Sequence, residues 1–503
     1  MRIHVVGSSL ALGALLAAGP ASAQSLADAV KSGNPQTLRA LLAKKVDVNA
    51  AGPDGTTALI VAAERNDSEA ARLLLASGAK ATVANRYGVT PLSLAAEQGN
   101  ASLIEALVKA GADPKSATPS GETALMSAAR SGNPAAVKTL VALGADPNAK
   151  EGWLEETALM WAAANNNGPV VLALTENGAQ VNAKSKVLPG QQPRARGADT
   201  AFQSAHSNFP KGGFTPLLFA AQYNAVASAT ALLEHGADIN LPDPDGITPL
   251  MMAILNGNYD FAKFLVDRNA DVNKADRSGR TALYFAVDMH TLEWLFSRPN
   301  PQPSGELDSP DIVKVLLEHK ANPNARTTAR GFILHHDSPG NSLLIAGSTP
   351  FMKAATTSDV RLMKMLLDFG ANPNISTQNH TTPLMAAAGL NWTDISSLGT
   401  EEASLEAIKL CLERGADVNS FNDLGETALH GAAQRGADKV VSFLAAQGAT
   451  LDAKNRRNRT PMDEAIGQAK EEGEDARRPE RKSTQVLLRE LMGKAATTTV
   501  SAR

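Results

Sequence analysis

Polar and apolar positions along this chain recur with a fixed beat. A short helical pattern opens on Thr-(Pro/Ala)-(Leu/Phe/Met) and runs into an Ala-Ala pair, as in Thr90-Pro91-Leu92 and Ala95-Ala96. After a Gly-Asn break comes a second pattern with apolar residues at helical spacing, as in Leu103-Ile104 and Leu107-Val108. It closes on Gly-Ala-Asp, seen at Gly111-Ala112-Asp113, Gly144-Ala145-Asp146, Gly236-Ala237-Asp238 and Gly415-Ala416-Asp417. Each piece has a local reason. The threonine caps a helix, proline suits its first turn, and the alanines let a neighbouring helix come close. The glycine takes the left-handed position past the second helix, and the Asx-rich segment after it makes a tight turn.

The anchor threonines measure the period. They are Thr57, Thr90, Thr123, Thr157, Thr215, Thr248, Thr281, Thr349, Thr382, Thr427 and Thr460, and six of the ten spacings are 33 residues. The long spacings of 58, 68 and 45 residues are one unit plus insertions of 25, 35 and 12. A degenerate first copy, Leu26 to Asn49, makes twelve units. One helix pair cannot bury its apolar face alone, so such units stack and the end units cap the stack.

This pattern resembles the ankyrin repeat, whose signature is Thr-Pro-Leu-His-x-Ala-Ala followed by Gly-Ala-Asp-Val-Asn. The resemblance covers nearly the whole chain after residue 23. It implies an all-α solenoid of about twelve helix-turn-helix units with β-hairpin-like fingers. It also implies that the fingers and first helices line a concave, partner-binding groove. One departure concerns the signature histidine, which survives at His430, while Met126, Met160, Met251, Met352 and Met385 hold that slot elsewhere. Family histidines there bond between repeats, so apolar packing is expected to replace those bonds.

The insertions are unevenly placed. The 25-residue one falls in a finger between Asn182 and Thr215. Of the next, 18 residues lie between helices around Arg298–Asp308 and 17 in the finger between Asn324 and Thr349. The last 12 lie between helices around Gly389–Glu402. The resulting organisation is a leader at 1–23, a capping repeat at 24–56 and repeats over 57–182, then an inserted basic finger at 183–213. Repeats resume at 214–324, with the insertion near 298–308, and a second inserted finger covers 325–347. Repeats fill 348–459, with the insertion near 389–402. A capping repeat at 460–492, split by the charged stretch Lys470–Lys482, precedes a tail at 493–503.

Charge and aromatic content single out one window. The first long finger carries Lys184, Lys186, Arg194, Arg196 and Lys211 against Asp199, in a chain of net charge −3. The second carries Arg326 and Arg330, with His335-His336 beside Asp337. Of 21 aromatic residues, 14 lie between positions 150 and 300. Trp153 sits at a finger tip and Tyr223 just past an Ala-Ala pair, positions that face partners in the resembled family. Phe261 and Phe264 on a second helix read as core, and Trp161, Phe219 and Phe285 occupy a slot that usually packs inward. Packing alone is the other reading of this aromatic excess.

Composition narrows the chemistry. Cys411, the one cysteine, excludes an internal disulfide framework and multi-cysteine metal sites, and it aligns with the buried leucines of other second helices. No nucleophile elbow, zinc-protease helix, phosphate loop or calcium loop occurs, so neither a catalytic residue nor a cofactor is expected. His335, His336 and Asp337 would need a third ligand, such as His206, to hold a metal. His235 and His319 sit at helix C-termini, where partial positive charge is favourable. Net charge −3 also argues against nucleic-acid binding.

Residues 1–23 read as a secretory signal. Met1-Arg2-Ile3-His4 is basic, Val5–Gly19 is largely apolar, and Ala21-Ser22-Ala23 fits a cleavage site, so export to periplasm or medium is expected. A buried N-terminal helix is the alternative. The function expected is non-catalytic binding of a protein partner, acidic in character, through Trp153, Tyr223, Lys184, Lys186, Arg194, Arg196, Arg326 and Arg330. The rivals are an enzyme or metal site between the long fingers and an accessory factor for an envelope enzyme.

Overall fold

A computed structural model describes residues 25–188, 211–290, 302–328, 346–390, 399–467 and 480–501. Its 24 described helices come in pairs, and each anchor threonine stands immediately before the first helix of its pair. The hydroxyls of Thr57, Thr90, Thr157, Thr215, Thr248, Thr349, Thr382 and Thr460 each accept from the backbone N–H three residues on. That bond satisfies one of the donors that every helix start leaves open.

The chain forms two compact units. One comprises Met1–Pro119, Thr123–Ser131 and Ala135–Ala145; the other comprises Ser120–Glu122, Gly132–Pro134 and Asp146–Arg503. In the first unit the helices Leu26–Lys31, Ala58–Glu64, Pro91–Glu97 and Ala124–Ser131 pack side by side in sequence order. In the second, eight first helices do the same, from Ala158–Ala164 through Pro216–Gln222, Pro249–Leu255, Ala282–His290, Pro350–Thr356, Pro383–Ala387 and Ala428–Arg435 to Pro461–Ile466. Paired alanines at these contacts, such as Ala62-Ala63, Ala162-Ala163 and Ala432-Ala433, have no exposed surface. Second helices contribute the larger core side chains Leu74, Leu107, Leu140, Leu174, Leu232 and Leu316, all fully buried. Truncating any one to alanine costs about 2–5 kcal/mol.

The signature slot behaves as its residues dictate. His430 is buried, its Nδ1 faces Thr427 and its Nε2 lies 3.1 Å from the carbonyl of Arg459 in the next finger. Met126, Met160, Met251, Met352 and Met385 are buried in the same slot. At Met126 and Met160 the thioether sulfur lies 3.4 Å from the threonine N–H, so sulfur stands in for the ring nitrogen.

Register between units is carried by asparagine side chains. In six described turns the last Asn, namely Asn49, Asn148, Asn182, Asn273, Asn324 or Asn419, accepts from a backbone N–H and donates to a carbonyl of the following unit: Asn49 accepts from Lys80 at 2.8 Å, Asn148 from Gln180 at 2.8 Å. The clamp persists across every long insertion. Asn182 accepts from Asp238 at 2.9 Å, Asn273 from Asn322 at 2.7 Å and Asn324 from Asn372 at 2.7 Å, while Asn374 donates to Arg414 at 3.1 Å. The described residues on either side of each insertion therefore keep the pairing of the stack. In the first long finger β1 (Val187–Leu188) pairs antiparallel with β2 (Lys211–Gly212), closing the base of the insertion as a hairpin.

Fingers are also tied tip to tip through their backbones. Lys186 donates to Leu154 at 2.6 Å, Arg277 to Asp245 at 2.8 Å, Thr328 to Ser278 at 2.8 Å and Gln378 to Ala346 at 2.8 Å. Proline removes the rung at two positions. Pro119 and Pro244 occupy the donor place and have no N–H. In each case the preceding finger offers a glycine with positive φ, where a side chain would strike the ring: Gly88 against Pro119 and Gly213 against Pro244.

Three expectations are modified. Phe264 is half-buried, with the Arg268 guanidinium 3.7 Å from its ring centre, whereas Phe261 is core as expected. Trp161 and Phe219 are half-buried, and of that slot's three aromatics Phe285 alone is fully buried. The closing helix Lys482–Ser501 continues past Met492, where a tail was expected, because Lys494-Ala495-Ala496 favour a helix.

Candidate partner-binding surface

The finger Glu151–Glu156 is built around one carboxylate. Glu151 accepts from the backbone N–H groups of Trp153 at 2.7 Å, Glu156 at 3.2 Å and Leu154 between them. Glu155 adopts a positive φ and pairs with Lys150 at 3.0 Å. The polar groups of the tip are thus spent inside the finger or on its neighbours, with Gly152 donating to Ser120 and Lys150 to Lys184, and the Trp153 ring projects outward. At 76% exposed it is the most accessible large apolar side chain among the described residues.

At the base of the same finger, Glu156 accepts from Trp161 Nε1 at 2.8 Å. Burial raises the Glu156 carboxyl above its ordinary value, with the indole bond working the other way. Tyr223, 46% exposed, caps the neighbouring first helix; burial, and secondarily the charge of Glu156, raise its phenol. Phe214 meets Phe219 edge to face with centroids 5.6 Å apart. Trp153, Trp161, Phe214, Phe219 and Tyr223 therefore belong to two adjacent units, with a half-buried carboxyl among them. Rigid aromatics that keep one face open are what anchor protein interfaces.

The cations expected here divide. Lys184 Nζ donates to the carbonyl of Pro242 at 3.2 Å, and Arg326 donates to that of Ser376 at 2.8 Å, so both are used to tie neighbouring fingers. Lys186 is exposed next to exposed Val187, and its side chain makes no ion pair among the described residues. Arg194, Arg196, Arg330, His206, His335 and His336 lie outside the described residues. Among the described residues no group of three or more His, Cys, Asp or Glu could hold a metal ion. Cys411 is fully buried and its thiol is pushed up to about 12, which leaves it unreactive.

A second polar cluster was not anticipated. Lys353 pairs with Asp288 at 2.7 Å with both side chains nearly inaccessible, and His290 pairs with buried Asp359. Arg280 holds Asp276 through two bonds, 2.8 and 2.6 Å, also buried. These pairs join the units starting at Thr281 and Thr349 or brace the finger before them. One signal was available: Lys353 follows the signature slot, where Val61, Leu94, Trp161, Phe219, Met252 and Phe285 stand in other units. With its charges paired, the cluster presents no free nucleophile or base; its chemistry is that of a clamp.

Comparison with known proteins gives the same architecture. The model for ankyrin repeats in three copies matches residues 26–118, 92–185, 217–327 and 397–473, and the single ankyrin repeat model matches 346–378. The chain belongs to the ankyrin-repeat family. It is 26% identical over 164 residues to E3 ubiquitin-protein ligase KEG of Arabidopsis thaliana, covering 31% of this chain and 8% of that protein. It is 36% identical over 103 residues to ankyrin repeat, SAM and basic leucine zipper domain-containing protein 1 of Dasypus novemcinctus, 20% of each. To human ankyrin repeat and SOCS box protein 16 it is 31% identical over 157 residues, 30% of this chain and 32% of that one. The matched part is thus under a third of each relative. No helix among the described residues of this ankyrin-repeat protein is long and apolar enough to cross a membrane.

Proposed function

We propose that this ankyrin-repeat protein is an exported, non-catalytic scaffold that binds a protein partner through the first helices and fingers around Trp153 and Tyr223. The observation that carries the reading is the outward Trp153 ring on a finger whose carboxylate and cation are already engaged. Tyr223 and the half-buried Trp161 extend that surface into the next unit. Lys186, with Arg194 and Arg196 of the same finger, would meet an acidic flank of the partner, whose role is to speed encounter rather than to fix affinity. Export rests on the leader at residues 1–23.

The test is cross-linked capture from the envelope with the native chain, with Trp153→Ala/Tyr223→Ala, and with Lys184, Lys186, Arg194 and Arg196 changed together to Ala. A partner held by the native chain and lost from the aromatic double variant is expected, with the cation variant losing salt sensitivity. Equal capture by all three would exclude this surface. N-terminal sequencing of the exported protein, expected to start at Gln24, tests the leader separately.

A further inference from the structure

The last three described fingers of the second unit enclose an open groove of about 580 Å³, walled by His380, Phe421, Asp423, Lys454 and Arg456. Its frame is fixed by backbone bonds from Asp423 to Asn379 at 2.9 Å and from Arg456 to Leu424 at 2.8 Å. Three acids near this groove are already engaged. Asp423 faces His380 Nδ1 at 2.8 Å, buried Glu426 takes the Asn422 amide at 3.1 Å, and Glu464 holds Arg459 at 2.9 Å. Lys454, Arg456 and Arg457, all exposed, make no ion pair or side-chain hydrogen bond among the described residues. Beside them Phe421 is 68% exposed and Leu424 43%.

We infer that this groove is a second docking site, distinct from the Trp153 surface, and that its occupant is an acidic peptide segment carrying an apolar anchor residue. The volume is that of an ordinary binding cleft. Three cations on one finger, none held in an ion pair among the described residues, select negative charge, and exposed Phe421 on the groove wall offers an apolar seat that charge alone would not use. A nucleic acid is the weaker match, because phosphate binding draws on a broad basic surface and the Asp423 carboxylate lines this wall. The inference stands independently of the function proposed above, since it uses none of the same residues.

The experiment is selection of a displayed random-peptide library on the full chain, with the enriched peptides then synthesised and titrated by fluorescence anisotropy. Enriched peptides should carry Asp or Glu on either side of an apolar residue. Their affinity should fall about tenfold or more for Phe421→Ala and for Lys454→Glu/Arg456→Glu, and stay unchanged for Trp153→Ala/Tyr223→Ala. Because the altered side chains are exposed, thermal melting should match the native chain. Three outcomes overturn the inference: no peptide enriched, enriched peptides without acidic residues, or affinities indifferent to the Phe421 and Lys454/Arg456 changes. An oligothymidylate that binds through these residues while acidic peptides do not would also overturn it, in favour of a nucleic-acid site.

Discussion

Two aspartates at one position of successive fingers show how a single neighbour sets a carboxyl group. Asp276 and Asp243 both stand five residues before an anchor threonine and accept backbone N–H bonds from their own finger. The residue before the threonine is Arg280 in one finger and Ile247 in the other. Arg280 neutralises Asp276, whereas no cation faces Asp243 among the described residues, and burial pushes it up to about 6 despite the Ile247 N–H bond. The folded chain thus keeps this proton to higher pH than the unfolded chain does. The stability it contributes is complete below the ordinary carboxyl value and is lost as pH rises through about 6. Asp243→Asn keeps the acceptor oxygen, as Asn85, Asn422 and Asn455 do in other fingers. It should leave stability near pH 4 little changed and raise it near pH 8 by on the order of 2 kcal/mol. Thermal melting across that range checks this, and a variant that melts lower at pH 8 would contradict it.

The buried pair of Lys353 and Asp288 makes the second residue-scale prediction. Removing one partner strands the other, so Lys353→Ala should cost about 3–5 kcal/mol, while Lys353→Met with Asp288→Leu should recover most of the loss. Denaturant titration of the two variants decides it.

At the scale of elements, much was legible in the sequence because the causes are local. Threonine caps, alanine contacts and positive-φ glycines depend on residues within a few positions and were readable from spacing, whereas the finger hairpin was implied only by the family resemblance. The asparagine clamps were not, because the partner of Asn182 lies at Asp238 and that of Asn273 at Asn322. The same holds for Lys353, whose burial depends on Asp288 in another unit. In the candidate site the exposure of Trp153 and Tyr223 followed from position, but the bonds of Lys184 and Arg326 to neighbouring fingers did not. The clamps carry a prediction of their own. Since Asn182 already joins Asp238, replacing residues 189–210 with Asn-Gly should leave the melting temperature within a few degrees of the native value. A large drop would mean the inserted finger supports the stack.

At the scale of the molecule, side-by-side units imply that damage stays near where it is done. In the second unit Leu444 is fully buried in the helix Asp438–Ala446, which contacts the helices Glu401–Glu413 and Lys482–Ser501. Leu444→Ala should speed amide exchange strongly in those helices and progressively less toward Ala158–Ala164. Uniform acceleration through the unit would show that it opens as one body.

Pro244 gives the same unit a mechanical character. Along the fingers, load would be shared by backbone rungs in series, and a series fails at its weakest member. Between the finger at Ser185–Phe214 and the one at Asp243–Ile247, the rung is replaced by the reach of Lys184 to Pro242. Under tension applied across this unit, rupture should begin there, and Pro244→Ala should raise the force at which it does.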